Sequence, residues 1–91
     1  MNGQQLITKF LQYQAGRGFS PKTAKRRQST LARFLEHIDP LPLDQVTLQM
    51  TDEWLLQFTS PATRHAYQSD LAAFYRWAVR RSVVVHNPMV D

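Results

Sequence analysis

The sequence predicts an all-α fold of four helices in one small domain, and three features carry that prediction. Apolar residues recur at helical spacing in four stretches, Ser-Pro pairs open two of those stretches, and glycine or proline marks the breaks. At 91 residues the chain has room for one modest core, which excludes a two-domain enzyme. Apolar residues make up 43% and charged residues 20%, the balance of a folded globule rather than a disordered tail.

Leu6, Ile7, Phe10 and Leu11 predict a first helix over about residues 3–14, ended by the flexible backbone of Gly16 and Gly18. Ser20 before Pro21 pairs an N-cap hydroxyl with a proline at the first helical position, where its missing N–H is harmless. In the second helix Ala24, Leu31, Leu35 and Ile38 share one face, with Phe34 beside them, and Lys22, Arg26, Ser29 and Arg33 fall opposite. Pro40 and Pro42 stop this helix, and residues 41–50 read as a connection anchored by Leu43, Val46 and Leu48. Thr51 is expected to cap a short third helix with Asp52 and Glu53 at the favourable end of its dipole and Trp54, Leu55 and Phe58 inward. Ser60 and Pro61 open a fourth helix to about residue 81, with Tyr67, Leu71, Phe74 and Ala78 on one stripe, Trp77 flanking it, and His65, Ser69, Arg76 and Arg80 opposite. The β-branched run 83–85 fits an extended segment, and Asn87-Pro88 blocks a return to helix.

The two Ser-Pro helices form an internal repeat. Residues 20–38 laid on 60–78 agree at eight of nineteen positions, among them Thr23/Thr63, Gln28/Gln68, Leu31/Leu71 and Phe34/Phe74. Capping and core spacing account for the serine, proline, leucine and phenylalanine matches, but not for the polar ones. The repeat therefore predicts two equivalent helices that present their N-terminal halves to one surface.

Charge is segregated along the chain. Residues 1–35 hold seven Lys or Arg and no acid, residues 36–60 hold five acids and no Lys or Arg, and Arg64, Arg76, Arg80 and Arg81 restore a positive balance beyond. Such a pattern predicts a basic face for a polyanionic partner. Lys22, Lys25, Arg26 and Arg27 crowd the opening turns of a helix, where like-charge repulsion and the dipole both disfavour them, and phosphate at the helix end would compensate. Thr63, Arg64, His65 and Gln68 form the corresponding set in the fourth helix, with groups that read base edges or grip phosphates.

Catalytic signatures are lacking. There is no cysteine, hence no thiolate nucleophile, disulfide or thiolate metal site. His37, His65 and His86 have no partner at ligand spacing, so neither a metal nor any other cofactor is expected. There is no glycine-rich phosphate loop, no nucleophile elbow and no paired acid and base. No apolar run is long enough for a bilayer and no signal segment opens the chain, so a cytoplasmic protein with no membrane partner is expected.

Ser20-Pro21-Lys22-Thr23, the Leu31/Phe34 pair, Ser60-Pro61-Ala62-Thr63, the run from Leu71 to Ala78 and the closing Asn87-Pro88 together resemble one known pattern. It is that of the N-terminal core-binding domain of the tyrosine recombinases, or phage integrases, also described as SAM-like. The resemblance spans about residues 6–91. It implies a small orthogonal four-helix bundle of two repeated helical hairpins that clamps double-stranded DNA opposite a separate C-terminal catalytic domain, alongside other recombinase protomers. On that resemblance the expected DNA-binding residues are Lys22, Thr23, Lys25, Arg26, Thr63, Arg64, His65 and Gln68, with Arg33 and Arg76 completing the set. Arg27 stands where many relatives carry an aromatic residue. None of Tyr13, Tyr67 or Tyr75 matches the family's nucleophile. The chain is thus expected to bind DNA without cutting it, with 1–86 as the core-binding domain and 87–91 as the start of a linker. A helical protein-interaction module and a helix-turn-helix regulator are the alternative readings.

Overall fold

The structure is a computed structural model that describes residues 3–89. Of the linker expected over 87–91, residues 90 and 91 lie outside the described residues. Four helices form a small all-α bundle: α1 (Gly3–Gly16), α2 (Pro21–Ile38), α3 (Leu48–Leu56) and α4 (Pro61–Arg80), with a single 3-10 turn (Leu43–Gln45) between α2 and α3. Both Ser-Pro starts take the expected form, since Ser20 Oγ accepts from the Thr23 N–H at 3.2 Å and Ser60 Oγ from the Thr63 N–H at 3.3 Å. After α1, Gly18 takes a positive φ of 85°, which glycine alone adopts without penalty, and the Phe19 N–H closes back on the Gln14 carbonyl.

Two local expectations are corrected. Helix α3 begins one turn earlier than its acids suggest, because Thr47, extended just after the buried anchor Val46, accepts from the Met50 N–H at 3.2 Å. Thr51 is instead a buried residue inside the helix whose hydroxyl donates to the Leu48 carbonyl, and Asp52 and Glu53 fall mid-helix. Residues 83–85 form bends, with Val84 buried and Val83 and Val85 exposed, so no strand exists among the described residues.

Two aromatic clusters hold the helices together. Phe10 of α1 meets Phe74 edge-on at 5.5 Å and lies 5.6 Å from Trp77, which joins α1 to the second half of α4. Phe34 of α2 meets Trp54 of α3 at 5.2 Å, and Trp54 stacks on Tyr67 at 5.9 Å, which joins α2, α3 and the first half of α4. Edge-to-face pairs of this kind add to the burial of large rings. Gly3 abuts the Leu35 side chain so closely that a Cβ would lie 2.8 Å from it, which sets the start of α1 against the end of α2. No helix among the described residues is long and apolar enough to cross a membrane.

Tyr75 is fully buried and its hydroxyl donates to the Leu43 carbonyl at 3.1 Å, tying the connection after α2 to α4. Burial, and then the negative charge of Asp44, push its phenol well above the ordinary tyrosine range. The unfolded chain therefore forms phenolate first as pH rises. The Tyr75 contribution to stability should be intact below about pH 10 and decline above it. Urea unfolding across that range checks this: Tyr75→Phe should lose about 1 kcal/mol at neutral pH and flatten the alkaline decline, and an unchanged decline would place its cause elsewhere.

Candidate nucleic-acid interface

Of the residues expected from the sequence to contact DNA, Arg26 is tied to one buried carboxylate. Asp70, at mid-length of α4, has no exposed surface. Its Oδ1 accepts from Arg26 Nη2 at 2.6 Å and Arg27 Nε at 3.2 Å, and its Oδ2 from Arg26 Nε at 3.2 Å and the Thr30 hydroxyl at 2.8 Å. A buried carboxylate is tolerated only when paired and hydrogen-bonded, and here both oxygens are occupied. The Arg26 pair is the two-pronged arginine–carboxylate geometry. Its hydrogen bonds to Asp70, opposed by partial burial and reinforced by the charge, raise the Arg26 pKa above its already high ordinary value.

Thr30 and Asp70 occupy equivalent positions of the repeat, so the two helices touch at the same place in each. That contact lies about 15 Å of helix beyond each start. Arg27, upstream of it, shares a groove with Ser69 at mid-length of α4 and with Ala73, Arg76 and Arg80 in its second half, whereas Arg64, His65 and Gln68 near the start of α4 share one with Asp52 and Leu55 of α3. The two helix openings therefore stand apart instead of side by side, which corrects the expectation of one joined cationic end.

Among the ten expected residues, Lys22, Lys25, Arg33, His65, Gln68 and Arg76 are exposed, and Thr23, Thr63 and Arg64 are half-buried. The Arg26 side chain stays 45% exposed while bound to Asp70, so it is a structural tie as much as a surface cation. Thr23 accepts a hydrogen bond from the Ser20 hydroxyl at 3.0 Å, which commits its side chain to the cap. Arg64 has a buried Nε without a hydrogen-bond partner, and a carboxylate in its groove, Asp52, weakens the field there. Among the described residues no group of three His, Cys, Asp or Glu could hold a metal ion.

Sequence reasoning missed Asp70, Arg27 and Thr30, although a signal existed. Asp70 lies on the inward stripe with Tyr67, Leu71 and Phe74, and Arg27 and Thr30 on that of Leu31 and Phe34. Opposite charges on two apolar stripes need each other. It also missed Arg17 and Arg80, which join Arg27 and Arg76 in a groove with no acid in its lining.

No family model, curated protein or solved structure matches this chain.

Removing the carboxylate leaves Arg27 buried without its counter-charge. Asp70→Ala should cost about 3–5 kcal/mol in chemical denaturation, while Asp70→Leu combined with Arg27→Met should recover most of that loss. Arg26→Ala should cost less than Asp70→Ala, because Arg27 and Thr30 still hold the carboxylate. Equal losses for the two single variants would show that Arg26 carries the tie.

Proposed function

We propose that this domain binds duplex DNA as the DNA-holding part of a tyrosine recombinase or integrase, with strand cleavage carried by a separate catalytic domain. One observation supports the reading above others. Every ion pair among the described residues converges on Asp70, so nine of the 11 Lys and Arg have no carboxylate partner among those residues, and none of the acids in 36–53 reaches a Lys or Arg. Most of the cations are thus left without an internal counter-charge, and a phosphate backbone is the counter-charge such a surface fits.

In this reading Lys22, Lys25 and Arg33 on α2 are phosphate contacts, which position the domain without reading sequence. His65 and Gln68, exposed on the first half of α4, offer donors and acceptors for base edges. Asp70 fixes the crossing of the two helices, and with it the separation between these two sets of contacts. Arg26 supports the surface from beneath, which narrows the proposed contacts to residues not committed inside the fold.

Titration of a duplex at several salt concentrations tests this. Log affinity should fall linearly with log salt, with about four to six phosphates neutralised. Lys22→Ala with Lys25→Ala should lower that number by about two and leave the melting temperature unchanged, since both side chains are exposed. Absence of binding at low salt would overturn the reading. Concentration-dependent self-association in its place would favour the interaction-module alternative, in which the acids of 36–53 meet the cations of a second copy.

A further inference from the structure

We infer that the groove between the end of α1, the start of α2 and the second half of α4 is a binding site for a phosphoryl group. It contains none of the DNA contacts proposed above and only Arg76 of the ten residues expected from the sequence, and it does not depend on that reading. Its lining includes Arg17, Arg27, Arg76 and Arg80 and no carboxylate. Arg17, Arg76 and Arg80 are exposed and have no ion-pair partner among the described residues. The groove encloses about 360 Å³, room for a phosphate with several waters at about 30 Å³ each.

The second observation concerns hydrogen bonds. Four buried side-chain polar atoms among the described residues have no partner, and three of them, Gln14 Oε1, Arg27 Nη1 and Trp77 Nε1, belong to residues lining this groove. Those residues are 3%, 8% and 7% exposed. Buried polar groups are normally paired, so three orphans among the residues of one groove point to a ligand that would complete them.

The chemistry of the orphans selects the ligand. A guanidinium and an indole N–H can only donate, so the missing partner is an acceptor. The surrounding arginines require it to be anionic, and their forked donors match tetrahedral phosphoryl oxygens. Gln14 fits as well, because its amide turned by 180° presents an N–H, and otherwise its carbonyl accepts the proton of a monohydrogen phosphate. A metal ion would find no anionic ligand there, and an apolar ligand would leave both donors unpaired. Asp70 takes Nε of Arg27, which sets that guanidinium in place with Nη1 still to be used.

Inorganic phosphate, titrated at constant ionic strength and followed by nitrogen–proton NMR, is the test. The chain has two tryptophans, so the Trp54 indole in the other aromatic cluster is an internal control. The Trp77 indole signal should move saturably while Trp54 stays still. Arg76→Gln with Arg80→Gln should weaken the response by about tenfold or more, with Arg80→Gln alone as a milder second variant and the Trp54 signal reporting an intact fold. A static Trp77, or both indoles drifting together, overturns the site, as does an unweakened response in the arginine variants. A short duplex without terminal phosphates then distinguishes the sources. If it moves Trp77, the occupant is a backbone phosphate; if only inorganic phosphate does so, the occupant is a free phosphoryl anion, and either result supports the site. If the duplex does not bind at all while phosphate moves Trp77, the DNA reading fails and the site stands.

Discussion

A carboxylate with no exposed surface holds this bundle in register. Asp70 cannot be buried as an ion unless its oxygens are filled, and it fills them with Arg26, Arg27 and Thr30, all from α2. The contact joins equivalent positions of two repeated helices, Thr30 and Asp70, and the aromatic clusters lie on either side of it. Phe10, Phe74 and Trp77 pack on one side, and Phe34, Trp54 and Tyr67 on the other. Among the described residues, six of the fifteen in the buried apolar core carry rings, while the ionic contact selects which turn of α2 meets which turn of α4.

That selection divides the basic residues into two kinds. Four cations crowd the opening of α2, a local arrangement that repulsion and the dipole oppose. Two of the four, Arg26 and Arg27, find their compensation within the fold through Asp70. Lys22 and Lys25 do not, and neither do the cations of α1 and of the far end of α4. The counter-charge they lack must come from solvent ions or from a partner, which is why an anionic ligand is the common element of both functional inferences.

The surface also separates into grooves of unlike character. Arg64, His65 and Gln68 share theirs with Asp52, so a phosphate there would meet a carboxylate as well as donors. Arg17, Arg27, Arg76 and Arg80 share theirs with no acid and with Gln14 and Trp77, which like Arg27 each carry an unpaired buried polar atom. The same charge sum thus produces two unlike grooves, because field strength depends on which side chains the crossing brings together.

Helix count, both Ser-Pro starts and nearly all of the core were legible in the sequence, because caps, proline and apolar periodicity act within one or two turns of chain. The start of α3 was not, since Thr47 caps it after the buried Val46, and Thr51, expected as the cap, is buried one turn inside the helix. The candidate site was legible as a set of residue types but not as an arrangement. Whether Arg26 is a free cation or a tie, and whether Arg17 lies beside Arg80, depends on contacts between residues distant in sequence. The chain by itself determined its helices and the separation of its charges, which are local and compositional properties. Only the tertiary structure decided which charges neutralise each other, because that follows from where two helices cross, and the crossing is set by packing and by the need of one buried carboxylate for partners.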